Sequence, residues 1–476
     1  MNKKETELII QRIERWHGRL SDLLIYDQRM FKAKFGWSKE PTAFDDRLSL
    51  DYKPISEGDP WGEKWESAWF HLEGDVPKDW SGRSIAANLD FSGEGLVYDN
   101  EGKLLQGITN ASIWDPNFAR ARVPLIDSSI GGEHLELWVE AAANSLFGVF
   151  TDTDPEEDSP KRHGWFNAKV ETIKFGIFDE DLWHLYLDAR ILLGFVKRLD
   201  EDSVRRSRTI LALNDCINAF CDDRKNVNKA RECLKTELEK PAAASDLSVS
   251  AIGHAHIDTG WLWPVRETVR KSARTFATQL SIIEKYPDYI FGASQPQHYQ
   301  FMKDQYPELY ARIKDAVKSG NWEVQGGMWV EADCNLISGE SMVRQLLHGK
   351  NFFKDEFDIE VDNLWLPDVF GYSAALPQIL KRAGVNYFLT QKLSWSQFNE
   401  FPHHTFNWRG IDGTEILTHF PPENTYNSEL DTEFLLPAQK SFKEKDKLDE
   451  FISLFGVGNG GAGPKPENVE LGRRMS

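Results

Sequence analysis

Between residues 5 and 25 the apolar positions Ile9, Ile13, Trp16, Leu20 and Leu23 recur at steps of four and three, which predicts an amphipathic helix with one docking face. Loop-like sequence follows, through Pro54 and Pro60. From Trp61 to about Lys174 the period changes to two. Short alternating runs such as AWFHLEGDVP and HLELWVEAA are split by Gly, Asn, Asp and Pro, with Asp99-Asn100 and Gly131-Gly132 as turn signals. That punctuation predicts an antiparallel β-sandwich, with a structural platform favoured over a carbohydrate-binding role. Residues 180–240 return to helical spacing, Leu213, Ile217 and Phe220 forming one stripe and Val227, Ala230, Leu234 and Leu238 another. Pro241 to Ser245 reads as a linker. The expected division is an N-terminal helical segment (1–50), a β-sandwich (51–178), a helical linker region (179–246) and an α/β catalytic domain (247–476).

Past residue 247 strands and helices alternate, so the pattern predicts a mostly parallel sheet or barrel. Strands are expected at 248–256, 289–295, 322–328, 363–367, 386–391 and 415–420, and helices at 264–286, 307–318, 338–356 and 373–383. The first strand carries His254, His256 and Asp258 two residues apart, on one face. In such folds ligands sit at the carboxyl ends of the strands. That rim collects His256 and Asp258, then Gln295, Glu331 and Asp333, then Asp368, Gln391, Lys392 and His419. Trp261, Trp329 and Phe370 lie beside these polar groups and are the expected walls for a substrate, with Trp395 close by.

Composition narrows the chemistry. The 476 residues are 41% hydrophobic and 12% aromatic, including seventeen Trp, enough to bury sizeable cores and to stack on sugars. A formal charge of -19 argues against nucleic acid or an anionic membrane as partner. Cys216, Cys221, Cys233 and Cys334 show no metal spacing; the first three lie in a helical region and read as small core residues, and reduced thiols are expected. The N-terminus has no signal-like apolar block, and no run of 18 apolar residues occurs, so a cytoplasmic location is expected. Phosphate cradles of the GxGxxG and GxxxxGK[ST] types and the GxSxG elbow are absent. His256, Asp258 and Asp368 remain as a mixed N/O set suited to zinc or a similar divalent ion. Ser373 is better placed than Asp368 to cap the following helix, which frees the carboxylate for chemistry.

The stretches GHAHIDTGWLWPVRET, GGMWVEADCNLISGESMVRQ and WLPDVFGYSAALPQIL resemble glycoside hydrolase family 38, in its cytosolic and bacterial α-mannosidase branch. WGEKWESAWFHLEGDVP and LWVEAAANSLFG resemble that branch's N-terminal β-domain, so the likeness covers nearly the whole chain. The resemblance implies a seven-stranded (β/α) barrel and a retaining, metal-dependent exo-mannosidase acting on terminal α-mannosyl residues of oligosaccharides. It implies His256, Asp258 and Asp368 as metal ligands, Asp368 also as nucleophile, and zinc as the metal, with cobalt second.

Two departures from the family pattern shape the expectations. The acid/base aspartate belongs in a glycine-rich turn, and here Asn459 stands at that position, leaving the acid/base unassigned with Asp333 as an alternative carboxylate. A fourth metal ligand, a His in an FHD-type segment, would lie beyond Ser476. The chain is therefore expected to be truncated, its barrel incomplete, its middle helical and C-terminal β-domains missing, and its activity low. Homo-oligomerisation of a full-length form stays open. Two other readings compete: a metal-dependent carbohydrate deacetylase, with Asp258 as base and metal-activated water, and a non-catalytic carbohydrate-binding remnant.

Overall fold

The computed structural model describes residues 3–110, 118–144, 167–242, 246–458 and 461–476. The opening helix, Lys3–Leu20, buries Ile13, Trp16 and Leu20 against three later helices, Glu180–Arg198, Val204–Phe220 and Val227–Leu238. Asp179 and Ser203 cap two of these by accepting the N–H of Leu182 and Arg206. Leu23, expected on the docking face, is instead exposed.

Two antiparallel sheets pack face to face. One orders Tyr52–Ile55, Lys32–Ser38, Ser67–Asp75, His134–Ala142, Glu94–Asp99 and Leu104–Ile108; the other orders Ile25–Met30, Thr172–Phe178, Ser84–Asp90 and Arg122–Ile126. Phe70, Leu72, Val97, Val139, Ala87, Leu89 and Phe175 fill the space between them. The Asp99-Asn100 turn forms as read: the Asp99 carboxylate accepts the N–H groups of Glu101 and Lys103. The sandwich is larger than the sequence pattern suggests, because Ile25–Met30, Lys32–Ser38 and Tyr52–Ile55 are strands rather than helix or loop. Ile25–Met30 keeps four consecutive residues exposed, and its register shifts between Tyr26 and Arg29, so no period of two survives in its sequence.

The α/β part holds two four-stranded sheets. Ser248–His254 lies between Phe291–Ala293 and Glu450–Phe455, with Trp322–Val324 beyond, all parallel. Asn363–Trp365, Tyr387–Leu389 and Glu415–His419 form a second parallel set, edged by the antiparallel Thr405–Arg409. Among the described residues the ladders do not join into a single closed barrel. At one seam Gly326 N–H donates to the Asn363 side chain (3.0 Å), and at the other Ile452 N–H donates to His419 Nε2 (3.3 Å). Side chains contribute at both seams, and at the second Ser428 also pairs through its backbone with Leu454 and Gly456. Thr405–Arg409 and Glu450–Phe455 were not foreseen, nor were the helices Pro296–Gln305, Thr432–Ser441 and Pro466–Met475. No helix among the described residues is long and apolar enough to cross a membrane.

Helix Val265–Lys285 lies between the first parallel sheet and the sandwich. Its sequence suggests one buried face, yet nearly every residue from Glu267 to Leu280 is buried, including Arg270, Lys271 and Arg274. These cations meet sandwich carboxylates: Lys271 Nζ stands 2.6 Å from Glu94, Arg274 3.3 Å from Glu94, and Arg270 pairs with Glu140. Buried charge is tolerated because it is paired.

Glu423 is the opposite case. Its buried carboxylate has no ion-pair partner among the described residues, and burial outweighs the nearby Ser453 hydroxyl and its own backbone N–H to push the carboxyl up to about 7. Between the ordinary value of 4.5 and that raised value, the folded chain holds a proton the unfolded chain has released. Stability is therefore expected to fall as pH rises through this window, by on the order of 3 kcal/mol in total. Glu423→Gln should flatten that slope in urea titrations at pH 5 and pH 8. An unchanged slope would mean that water reaches the carboxylate.

Candidate metal centre

The strand Ser248–His254 points Ile252 and His254 inward, toward Trp365, Leu389, Tyr426 and Leu454. His254 sits beneath the site, and burial, with the neighbouring His256 charge, outweighs the Gly292 backbone and drives its pKa down to about 3. It is a neutral floor rather than a ligand. Past the ladder the chain delivers His256, buried, and Asp258, half-buried. Asp258 is held by its own backbone, whose carbonyl accepts Gly260 N–H and the Thr268 hydroxyl.

Asp368 comes from the segment after Asn363–Trp365. His256 Nε2 stands 3.3 Å from Asp258 Oδ1 and 3.3 Å from Asp368 Oδ2, and the candidate ligand atoms of the three lie within 4.8 Å of one another. Two ligands bound at about 2.0–2.1 Å in tetrahedral geometry stand about 3.3 Å apart, so the set fits one divalent ion. Behind the imidazole, Nδ1 lies 2.8 Å from Glu331 Oε2, and neither atom has another hydrogen-bond partner among the described residues. A carboxylate behind Nδ1 keeps the proton there and leaves Nε2 free to ligate. Ser294 donates to the other Glu331 oxygen (2.9 Å). Burial alone would lower the His256 pKa, but Glu331, Asp258 and Asp368 together raise it well above the ordinary value.

Asp368 Oδ1 faces the other way. Lys392 Nζ lies 2.6 Å from it and the Tyr426 hydroxyl donates to it at 2.9 Å. Burial opposes ionisation, yet His256 and Lys392 outweigh it and hold Asp368 down at about 2. Lys392 is itself boxed by rings, with its ammonium 3.4 Å from the Trp395 centroid and 5.1 Å from Phe370. Phe370 is 67% exposed and Trp395 63%, so this box opens to solvent beside the carboxylate. Trp261 is half exposed and packs edge-on against Trp263, whereas Trp329 donates to Gln297 and abuts Phe352.

Other rim residues have structural work. Gln295, in a left-handed conformation (φ +66), accepts from Thr259 Oγ1 and Glu331 N–H and donates to the Ile257 carbonyl, bracing two rim loops. Asp333 is exposed and its carboxylate accepts the N–H groups of Asn335 and Leu336, a local turn. His419 is taken up in the sheet seam by Thr405 and Ile452. Gln391 accepts from Ser394 within its own turn. Asn459 lies outside the described residues. Glu331 and Lys392 were on the rim as read, but their pairing with His256 and Asp368 was not foreseen. Tyr426 and His298, which meets Thr259 at 2.8 Å, were missed, because neither sits at a strand end.

The profile of the Glycosyl hydrolases family 38 N-terminal domain matches residues 246–476, and that of an alpha-mannosidase jelly roll domain matches residues 30–170. This chain belongs to glycosyl hydrolase family 38. The family 38 chain is 37% identical over 481 residues to "Alpha-mannosidase G" of Dictyostelium discoideum, covering 98% of this chain and 43% of the relative. It is 36% identical over 438 residues to human "Alpha-mannosidase 2C1", covering 92% of this chain and 41% of the relative. It thus spans about two fifths of the length of the curated relatives it matches. A solved alpha-mannosidase from Enterococcus faecalis aligns over 48% of this chain and 27% of its own, at 19% identity and a TM-score of 0.41.

Proposed function

We propose that this chain is the sugar-cleaving part of a retaining, exo-acting α-mannosidase that releases terminal α-mannosyl residues from oligosaccharides, with Asp368 as nucleophile. The observation that carries the reading is the convergence of His256, Asp258 and Asp368 on one point, with Asp368 held ionised. The relatives named alpha-mannosidase supply the substrate class. We further read the two parallel sheets as arcs of one seven-stranded barrel, since seven of their eight strands run parallel and hydrogen bonds reach across both seams.

A divalent ion, zinc before cobalt, held by His256, Asp258 and Asp368 would grip hydroxyls of the terminal sugar. The protein does the rest. Lys392 and Tyr426 fix one Asp368 oxygen and keep the group anionic, so that it can attack the anomeric carbon as the leaving oxygen departs. The resulting glycosyl ester on Asp368 is then hydrolysed by water, giving net retention. Phe370 and Trp395 offer exposed ring faces beside the attacked carbon. The proton donor to the leaving group is unassigned; Asp333 is tied into its own turn.

EDTA-treated protein is expected to lose hydrolysis of an aryl α-mannoside and regain it with Zn²⁺ or Co²⁺. Acetate release from an acetylated sugar, without aryl-mannoside cleavage, would replace this reading with that of a deacetylase.

A further inference from the structure

Arg120 belongs to the sandwich, where its backbone pairs with Thr109, but its side chain leaves the sandwich entirely. It is buried, and its guanidinium reaches a stretch some 340 residues later in the chain. Nη2 donates to the carbonyls of Gly461 (3.3 Å) and Gly463 (2.7 Å), and Nη1 to that of Pro464 (3.1 Å). Among the described residues its hydrogen bonds go to these three backbone oxygens, while the carboxylates of Glu467 and Glu429 act on the charge only from farther off. From the other side Gln279 Nε2 donates to the carbonyls of Ala462 (2.6 Å) and Pro464 (3.1 Å). Between these two clamps the backbone adopts left-handed conformations at Ala462 (φ +63) and Gly463 (φ +71). For Ala462 such a conformation is costly and persists only where its surroundings impose it.

What the clamped stretch touches gives the clamp its meaning. A Cβ on Gly463 would stand 3.1 Å from the Ala255 side chain, and one on Gly456 would stand 2.5 Å from the His254 carbonyl. Backbone thus lies against the two residues that lead directly into His256. On its other flank, Gly458 N–H donates to Asn427 (2.7 Å), and a Cβ there would meet the Tyr426 ring at 2.5 Å. Tyr426 is the group that donates to Asp368. The same stretch of backbone therefore supports both His256 and the partner of Asp368. At such close approach, a shift of a few tenths of an ångström in this backbone must move one or both.

We propose that Arg120 is a positioning residue for the metal centre: by clamping the Gly461–Pro464 carbonyls, the sandwich sets the backbone on which His256 and Tyr426 rest. The proposal rests on the reading that His256, Asp258 and Asp368 hold a divalent ion. It gives the sandwich a part in the chemistry although none of its described side chains contacts the three candidate ligands.

The test uses Co²⁺ and the chain as it stands, since the visible absorption of bound Co²⁺ reports coordination number and geometry independently of turnover. Arg120→Lys keeps the charge but cannot reach three carbonyls at once, and Gln279→Leu removes the second clamp. Both are expected to weaken Co²⁺ binding by about 10-fold, the lower end of what loss of outer support for a ligand typically causes, and to change the absorption intensity. Arg312→Met is the control: Arg312 also bonds a sandwich carbonyl, that of Leu104, but nothing near the turn. It should shift the melting temperature while leaving affinity and spectrum unchanged. If the unmodified chain binds no Co²⁺, the metal reading itself falls, and this proposal with it. If the unmodified chain binds and both Arg120→Lys and Gln279→Leu match it in affinity and spectrum, whatever their melting temperatures, the clamp is structural only and the proposal is overturned.

Discussion

Asp368→Asn is expected to lower turnover of an aryl α-mannoside by on the order of 10⁴-fold, the scale typical of removing one member of a catalytic unit. The amide nearly matches the carboxylate in shape and can still accept the Tyr426 hydroxyl, so the local fold has little reason to collapse. Its oxygen is neutral, however, and is neither a competent nucleophile nor a strong ligand. The second effect is on Lys392, whose side chain is only 5% exposed and whose ammonium lies 2.6 Å from the missing charge. Stranding a buried cation costs on the order of 3 kcal/mol, partly relieved here by the Trp395 face. Three readouts follow: rate, zinc stoichiometry and melting temperature, all expected to fall. Asp368→Glu, which restores charge but lengthens the arm, should recover stability without recovering rate. A variant Asp368→Asn that turns over within tenfold of the parent would remove Asp368 from the nucleophile's role.

Glu94→Leu is expected to destabilise the chain by on the order of 3–5 kcal/mol. Glu94 is 1% exposed and its Oε2 takes Lys271 (2.6 Å), Arg274 (3.3 Å) and the Asn144 amide (3.0 Å). Removing the carboxylate takes the nearest negative charge from two cations buried between sandwich and helix. Arg274 keeps Glu140 at 3.7 Å, whereas Lys271 loses its 2.6 Å pair. The pair Glu94→Leu with Lys271→Met should therefore recover a large part of the stability, since a buried ion pair replaced by apolar groups of similar volume is often close to neutral. Urea unfolding of the two single variants and the double variant measures the coupling. Additive losses in that cycle would show that water enters the junction and that the network is not what joins the two domains.

The residues of the candidate centre were legible because their placement is local. A period of two puts His256 and Asp258 on one side of a strand end, and strand-helix alternation puts Asp368 and Lys392 on the same rim. The sandwich was legible wherever one face is buried and one wet, as in His134–Ala142, and illegible in Ile25–Met30, where exposure on both sides and a bulge erase the alternation. Helix Val265–Lys285 was legible as a helix, but its charged side reads as solvated. Only the sandwich packed onto it turns Arg270, Lys271 and Arg274 into buried partners of Glu94 and Glu140.

Tertiary structure alone decided the rest. Glu331 behind His256, Tyr426 on Asp368 and Arg120 on the Gly461–Pro464 carbonyls join residues separated by 58 to 344 positions. No local period encodes such pairings. The seams between the sheets belong to the same class: His419 looks like rim chemistry, yet it and Asn363 reach across the seams between the sheets. By itself the sequence determined which side chains stand at strand ends, because backbone geometry fixes that within a few residues. Which of them pair with one another and which merely brace was decided by long-range packing, because charge state depends on what other parts of the chain bring within a few ångströms.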